Sequence, residues 1–370
     1  MLRLSNEICN LIDWYEKGGS ILTELLKLVA PGTPIRDGLE NILRAKTGGL
    51  LLITDKEDVI KNVVDGGFYI NEEYSSSKLY ELAKMDGAIV LSGDLKRILF
   101  ANAQLIPSRD IETSETGTRH RTAERTAKQT GELVISISQR RNIITLFKGN
   151  YRHVLEDTSV VLTKANQGIQ TLERYKKVFD NILGILNEYE FNDIVTLKNV
   201  INVIQRAEMV SRIAEEIKRQ VYELGVDGRL VNMQLQELMY GVDAEEKLTI
   251  KDYLISNGKK KKNADDIIAE LGKLSNEDIN KESVIAKLLG YDSFDNYDEV
   301  GVYTRGYRIL SKIPRMPSNI VDNLVASFKS FQHILDADIE ALDDVEGIGE
   351  VRARTIKQSL RRMQEQFMFE

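Results

Sequence analysis

One short run concentrates side chains that bind phosphate. Residues 117–126 read GTRHRTAERT, in which two arginines and a histidine stand between two threonines. The stretch that follows, from Ala123 to Thr130, predicts a helix, and Gly131 is placed to end it. Free backbone N–H groups, the positive end of a helix dipole and guanidinium groups together suit a polyphosphate. On these residues alone, a solvated basic turn is the alternative.

A second motif, Asp86-Gly87-Ala88, stands where an apolar strand is predicted to begin. A carboxylate at such a point can hold a divalent cation or accept a hydrogen bond from a hydroxyl, and the glycine lets a ligand lie against the backbone. By itself the tripeptide indicates only a turn aspartate. Together the two motifs divide the tasks of a site. Asp86 supplies a carboxylate for a metal ion and a hydroxyl, and the basic run supplies positive charge for phosphates. That division suits phosphoryl or nucleotidyl transfer, which depends on positioning and charge neutralisation.

The third motif lies near the C-terminus, where residues 345–349 read VEGIG. Gly347 and Gly349 allow a tight turn and close approach to a ligand, and Ile348 anchors the turn in a core. The N–H groups at the start of the following helix form an anion site. That helix carries the basic residues Arg352, Arg354, Lys357, Arg361 and Arg362. The run resembles the helix-hairpin-helix motif, and the expected ligand is a nucleic-acid backbone bound without base readout.

A divergent copy of this hairpin precedes it at residues 313–320, which read IPRMPSNI. Each copy has a short turn that leads into a predicted helix, at 321–328 and at 352–363. The first copy lacks the two glycines, and we interpret it mainly as a structural partner of the second.

The elements that must position the first two motifs are predicted from short apolar runs separated by turn residues. These runs are 50–53, 87–91, 98–106, 133–138 and 143–147, after an amphipathic segment at 21–28. They predict a mixed sheet with helices around it. The predicted fold of this first domain, residues 1–152, is therefore α/β, with a mixed central sheet flanked by helices.

The pattern changes at about residue 157, where apolar residues begin to recur every three or four positions. They are Leu162, Ala165, Ile169 and Leu172, and then Val203, Ala207, Val210, Ala214, Ile217, Val221 and Leu224 before Gly225. This periodicity predicts an all-α middle domain, residues 153–298, as a bundle, a rigid spacer or an oligomerisation surface. Residues 299–370 form a predicted all-α helix-hairpin-helix domain.

Composition limits the possible functions. A chain of 370 residues has room for two or three domains, and its formal net charge of −7 argues against coating nucleic acid by bulk electrostatics. The single cysteine, Cys9, excludes an intramolecular disulfide, and three histidines leave little room for a histidine metal cluster. We expect a soluble cytoplasmic protein, since neither a signal peptide nor a membrane-spanning apolar run is evident.

The DGA and GTRHRTA motifs together resemble those of the diadenylate cyclase (DAC) domain family, and the helical middle and helix-hairpin-helix end extend the resemblance over the chain. It implies that two ATP molecules condense to cyclic di-AMP and two pyrophosphates. Carried onto this sequence, it implies that Asp86 binds Mg²⁺ or Mn²⁺ and helps activate the 3′-hydroxyl. The other implied ATP contacts are Gly87 against the nucleotide, Arg119, His120 and Arg121 on the triphosphate, Thr118 and Thr122 as hydroxyl partners, Leu105 on the adenine and Ser138 on phosphate. Asp86, Arg119, His120 and Arg121 are the expected catalytic residues.

The chemistry also predicts self-association. One active site cannot cyclise two nucleotides, because each nucleotide needs a hydroxyl activator on one side and a phosphate clamp on the other. Two identical sites placed face to face supply both by symmetry. The resemblance further implies an octamer, and suppression of the cyclase by branched DNA such as Holliday junctions. The alternative function is a catalytically silent nucleotide sensor that binds branched DNA.

Overall fold

The computed structural model describes residues 19–255 and 262–369. Cys9 and the start of the first predicted domain lie outside the described residues, as does most of the lysine-rich segment at 259–262. Contacts divide the chain into two compact units, residues 1–166 with 218–232 and residues 167–217 with 233–370. Each unit has hydrophobic clusters of its own.

The first unit is built on an eight-stranded sheet. The strands are β1 (Gly49–Ile53), β2 (Val64–Asp65), β3 (Phe68–Glu73), β4 (Ala88–Leu91), β5 (Arg97–Leu105), β6 (Leu133–Ser138), β7 (Ile143–Lys148) and β8 (Tyr151–Leu155). They lie in the order β2-β5-β4-β1-β6-β7-β8, and β3 also pairs with β5. The β1–β4 pair is parallel and the other pairs are antiparallel. The predicted mixed sheet is confirmed.

Helices cover both faces of this sheet. They are α1 (Gly19–Leu28), α2 (Pro34–Arg44), α3 (Glu57–Val63), α4 (Ser76–Leu82) and α5 (Thr118–Thr130). Apolar residues of α1, α2 and α4 share one buried cluster with the sheet, and those of α3 and α5 share another. Because the centre of β1 is covered on both faces, all five of its residues are buried.

The chain after β8 is helical, as the periodicity predicts. Its helices are α6 (Thr158–Asn192), α7 (Leu197–Leu224), α8 (Arg229–Met239), α9 (Val242–Tyr253), α10 (Ala264–Leu271), α11 (Asn276–Ile279), α12 (Glu282–Leu288), α13 (Tyr307–Ser311), α14 (Ser318–Phe328), α15 (Phe331–Asp336), α16 (Ile339–Asp343) and α17 (Glu350–Phe369), with 3₁₀ turns at Gly225–Gly228 and Tyr297–Glu299. Gly225 ends α7 in the left-handed region, at φ +53°. Among the described helices, none is long and apolar enough to cross a membrane.

A buried ionic network joins three helices of the second unit. The guanidinium of Arg308 on α13 is fully buried and contacts the Glu190 carboxylate and, at 2.5 Å, Asn187 Oδ1, both on α6. Asp252 on α9 accepts the backbone N–H groups at the start of α13, including that of Arg308 at 2.9 Å. Since these charges are paired and hydrogen-bonded, the start of the C-terminal helices is held to α6 and α9.

Candidate functional site

The predicted cyclase residues converge at one edge of the sheet. Strands β1 and β4 are parallel, so both begin at this edge, while the antiparallel strands β5 and β6 end there. The register pairs Gly49 with Ile137 and Ala88 with Ala103. Asp86, which lies just before β4, therefore shares the edge with the ends of β5 and β6. Neighbouring strands are about 4.8 Å apart, so these positions are close in space.

Asp86 is exposed in a bend between α4 and β4. Within the described chain, its carboxylate makes no hydrogen bond or ion pair and is free to bind a ligand. The next residue, Gly87, has φ +98°. A Cβ on Gly87 would lie 2.8 Å from the Ala103 carbonyl oxygen and 2.9 Å from the Asn102 carbonyl carbon. Glycine is thus required here both by its backbone angle and by the close approach of β5.

The basic run, residues 117–126, covers the N-cap residue and the N-terminal part of α5. The helix begins at Thr118, five residues before the predicted start at Ala123. Gly117 is the extended N-cap residue, and its carbonyl accepts the Arg121 N–H at 2.8 Å. The prediction placed the start too late because the first turn is polar, whereas the helix is held on the sheet by fully buried Ala123 and Ala127. At its end, Gly131 at φ +71° caps the helix as predicted.

Arg119 and Arg121, two of the three arginines of the run, carry uncompensated charge. Arg119 is half-buried, and its guanidinium lies so close to Gly48 that a Cβ on that glycine would overlap Nη1. Gly48 directly precedes β1, so Arg119 reaches the strand that neighbours β4. Arg121 is exposed. Neither guanidinium makes a hydrogen bond or ion pair with any residue that the structure describes. Both are available to an anion at the helix N-terminus.

His120 occupies a different environment from its neighbours. Its side chain is buried, with Nδ1 3.1 Å from the Ser136 hydroxyl of β6 and its ring edge-on to Phe147. Burial lowers the pKa of the imidazole; the Glu115 carboxylate opposes this shift, and the positive charges of Arg141, Arg152 and Arg119 add to it. Nε2 is buried and has no hydrogen-bond partner in the described chain. The ring is therefore neutral near pH 7, and its predicted contact with the triphosphate stays a prediction.

The remaining predicted ATP contacts lie at or near the same edge. Leu105 ends β5 and is buried in the cluster beneath α5, with only 8% of its surface exposed. Ser138 ends β6, and its hydroxyl accepts the Arg141 backbone N–H at 3.2 Å. Thr118 is exposed and Thr122 is half-buried in the first turns of α5. Their individual contacts with ATP stay predictions.

The C-terminal unit contains two hairpins of the same geometry. Hydrogen bonds from Val345 N–H to Leu342 O and from Ile348 N–H to Val345 O recur 32 residues earlier among Leu310, Ile313 and Met316. At the corresponding positions Gly347 has φ +85° and Arg315 has φ +58°. The predicted repeat is present in the backbone, and an exposed arginine replaces the first glycine in the first copy.

The predicted DNA-binding residues differ in whether their polar groups are already bonded within the protein. Ile348 is buried, as expected of an anchor, and Gly349 has open space around its Cα. The Arg352 guanidinium donates to the Gly347 carbonyl, and Arg354 pairs with Glu350 at 2.5 Å. The Lys357 ammonium donates to carbonyls at the end of α15, at 2.7 and 2.6 Å. Lys357 thus has a structural role in this fold, and its predicted contact with DNA stays a prediction.

Both hairpins border one cavity of about 560 Å³. It is lined by Ile313 to Met316 on one side and by Gly349 to Arg352 with Thr355 on the other. Open backbone at Gly349 and the exposed side chain of Arg315 therefore face a shared space.

Comparisons with known proteins agree with this arrangement. Family models match residues 36–151 (DisA bacterial checkpoint controller nucleotide-binding), 155–297 (DisA bacterial checkpoint controller linker region) and 307–362 (SAM-like helix-hairpin-helix tandem). The chain is 57% identical over 340 residues to the DNA integrity scanning protein DisA of Clostridioides difficile, covering 92% of this chain and 94% of that protein. It is 54% identical to DisA of Clostridium botulinum strain Loch Maree, covering 94% and 97%, and to DisA of Clostridium perfringens, covering 93% and 96%.

The chain belongs to the DisA family. Its first domain is a nucleotide-binding diadenylate cyclase domain, and its last is a tandem helix-hairpin-helix. The suspected family and the fold class are thereby confirmed. The predicted domain boundaries at 152 and 298 stay predictions.

Asp86 supplies the one carboxylate that the sequence predicts as a metal ligand. Among the described residues, no group of three or more His, Cys, Asp or Glu side chains could hold a metal ion. Mg²⁺ is commonly bound by one or two carboxylates together with substrate phosphates and water. The free carboxylate of Asp86 lies just before β4, the strand next to the one that Arg119 contacts, and it fits a divalent ion that shares its coordination with a nucleotide.

Several residues that shape this site were missed by the sequence reasoning. The Glu124 carboxylate accepts the Thr113 hydroxyl at 2.5 Å and the Ser114 N–H at 3.1 Å, and Arg125 Nε donates to the Ile111 carbonyl. These bonds tie the loop before α5 to the helix. Glu124 and Arg125 lie within the basic run itself. The available signal was Glu124, the one acidic residue in an otherwise basic run. Gly48 carried a weaker signal, as half of a Gly-Gly pair before a strand.

Proposed function

We propose that this protein is a diadenylate cyclase that condenses two ATP molecules into cyclic di-AMP and two pyrophosphates. The observation that carries the proposal is the free carboxylate of Asp86 at the same sheet edge as the uncompensated guanidinium of Arg119. A nucleotidyl transfer needs both groups, because one activates the hydroxyl and the other stabilises charge on the phosphates. Membership of a family with a cyclase domain supports the same reaction.

In the proposed mechanism each residue has a limited task. Arg119, Arg121 and the free N–H groups of the first turn of α5 bind the triphosphate, and Thr118 and Thr122 add hydroxyl contacts. Gly87 lies against the nucleotide. The Asp86 carboxylate accepts the hydrogen bond of a 3′-hydroxyl and takes its proton. His120 positions the helix start through its hydrogen bond to Ser136.

The reaction requires a second copy of the chain. With two such edges face to face, each 3′-oxygen attacks the α-phosphorus of the opposite nucleotide. Two new P–O bonds form, the two α–β bridging P–O bonds break, two pyrophosphates leave, and each hydroxyl gives up one proton. We therefore infer a dimer as the catalytic unit, and propose the octamer implied by the family resemblance as its assembly.

A divalent cation, Mg²⁺ or Mn²⁺, belongs to this proposal. Asp86 would hold it together with the phosphates of ATP, where it supplies positive charge that offsets the charge of the triphosphate. The protein residues still determine where the nucleotide lies and which hydroxyl is activated.

The helix-hairpin-helix unit is the proposed DNA-binding part. Its two hairpins border one cavity, Gly349 offers open backbone, and Arg315 and Arg352 add positive charge to that cavity. Such contacts bind phosphates rather than bases, so we infer recognition of DNA structure without sequence preference. We propose that branched DNA, such as a Holliday junction, suppresses the cyclase in a DNA integrity checkpoint. The cytoplasmic location stays a prediction.

The Asp86→Asn variant tests the proposed chemistry. It keeps the shape of the side chain and removes its charge, so formation of cyclic di-AMP should fall by about 10²–10⁴-fold, while binding of ATP without metal is retained. The matched control is Asp58→Asn. Asp58 is exposed on α3, which follows the opposite end of β1, and makes no hydrogen bond or ion pair in the described chain. Unchanged turnover in Asp86→Asn would remove this residue from the mechanism.

A further inference from the structure

A third arginine lies at the catalytic edge, outside both predicted motifs. Arg141 is exposed in the turn that joins β6 to β7. Its backbone N–H donates to the Ser138 hydroxyl at 3.2 Å, which holds the turn at the end of β6. Its guanidinium Nη2 is 3.3 Å from the Thr116 hydroxyl. Thr116 directly precedes Gly117, the N-cap residue of α5, so the guanidinium lies at the N-terminal end of the phosphate-binding helix.

The contact of Arg141 with Thr116 leaves its charge uncompensated. At 3.3 Å it is long for an N–H···O hydrogen bond, and the acceptor is neutral. Within the described chain, the Arg141 side chain makes this one hydrogen bond and no ion pair. Arg152 shows the contrast, because its Nε is 2.6 Å from Glu115 Oε1, and the Glu115 side chain is only 6% exposed. Arg152 is neutralised and holds the loop, whereas Arg141 can exchange a hydroxyl for an anion at little cost.

The electrostatics at the helix start group Arg141 with Arg119, a cation already proposed for the site. His120, buried under the first turn, is close enough to Arg141, Arg152 and Arg119 that each of them opposes its protonation. Since Arg152 is paired with Glu115, the net positive field there comes from Arg119 and Arg141. A triphosphate at this helix end therefore has two guanidinium groups within reach, one from α5 and one from the β6–β7 turn.

We propose that Arg141 is a further phosphate-binding residue. Its guanidinium gives up the contact with the Thr116 hydroxyl and binds the β- and γ-phosphates of ATP, and then the pyrophosphate that departs. This inference rests on the proposed nucleotide site. It assigns Arg141 to the β- and γ-phosphates because its anchor, Ser138, is at the end of β6, two strands away from Asp86 and the hydroxyl that it activates. The same order along the sheet assigns Arg119, which lies against Gly48 just before β1, to the α-phosphate.

The test uses binding as well as turnover. The full-length protein is titrated with 3′-deoxy-ATP, which lacks the attacking hydroxyl and cannot cyclise, and with AMP. Arg141→Gln should weaken binding of 3′-deoxy-ATP about tenfold or more, the scale of a lost hydrogen bond to a charged group, and leave AMP binding unchanged. Arg140→Gln is the matched control, since Arg140 is exposed in the same turn and makes no side-chain contact in the described chain.

A second variant separates phosphate binding from a purely structural role. Thr116→Val removes the partner of Arg141 but keeps the guanidinium, so it should leave the affinity for 3′-deoxy-ATP within twofold of the unmodified protein. If Thr116→Val matches Arg141→Gln, or if Arg141→Gln weakens AMP and 3′-deoxy-ATP equally, Arg141 only holds the loop and the inference is wrong. An unmodified protein that binds 3′-deoxy-ATP through Arg141 but makes no cyclic di-AMP would retain this inference and refute the proposed function.

Discussion

The substitution Gly87→Ala tests the architecture on which Asp86 depends. An alanine there must adopt φ +98°, which costs about 1–2 kcal/mol for a residue with a Cβ. Its Cβ would also lie 2.8 Å from the Ala103 carbonyl oxygen and 2.9 Å from the Asn102 carbonyl carbon. Both are backbone atoms of β5, which cannot rotate away, so overpacking adds about 1–3 kcal/mol. The expected loss of local stability is roughly 2–5 kcal/mol.

Gly131→Ala is the matched control for the backbone angle alone. Gly131 has φ +71°, but a Cβ there would meet no atom within 4 Å. It should therefore cost only the backbone term of about 1–2 kcal/mol. The difference between the two variants measures the contact with β5.

Hydrogen exchange of the intact protein measures these costs locally. Peptides from β4 and β5 should open more readily in Gly87→Ala, whereas Gly131→Ala should affect only the end of α5. Cyclase activity should fall by about 10²-fold in Gly87→Ala, because a shift of about 1 Å at Asp86 is enough for that loss. Equal destabilisation by the two variants would refute the argument that β5 excludes a side chain at Gly87.

Two further predictions concern the second unit. Burial, with the nearby Glu208 carboxylate, raises the pKa of Glu246 to about 8. Because the unfolded chain releases this proton near pH 4.5, the folded state loses stability as the pH rises from about 4.5 through 8, by about 5 kcal/mol in total. Glu246→Gln should be more stable than the unmodified protein at pH 9 and nearly equal at pH 5 in thermal unfolding. In Gly347→Ala the new Cβ would lie 2.6 Å from Ile320 Cδ1, at φ +85°. This variant should bind branched DNA more weakly, so that DNA inhibits the cyclase less, while the cyclase activity without DNA is unchanged. Gly241→Ala, at φ +80° in open space, should leave both unchanged.

The parts of the fold that could be predicted are those with strong local signals. The buried strand at 50–53 is a continuous apolar run, and the strand at 133–138 is apolar apart from two serines. Gly131 and Gly225 end helices because each adopts a positive φ. The edge segment of β2 and β3 was missed. It reads VDGGFYINEE, and its exposed positions do not alternate between apolar and polar residues, so it has no amphipathic strand period.

The site was predictable in its motifs but not in the environment of each residue. His120 is buried because Ser136 and Phe147, distant in sequence, form its pocket, and no local pattern reveals that pairing. The Lys357 ammonium is held by carbonyls about 20 residues earlier in the chain. In both cases tertiary packing determines whether a polar side chain is free.

The most direct test of the central claim is a product analysis of the unmodified protein with ATP and Mg²⁺ or Mn²⁺. Nucleotides are separated and identified by mass, and pyrophosphate is measured in the same samples. The proposed cyclase predicts cyclic di-AMP with two pyrophosphates for each molecule formed, over many turnovers. ATP that is bound but unchanged, or converted to ADP and phosphate, would contradict the proposal and favour a nucleotide sensor.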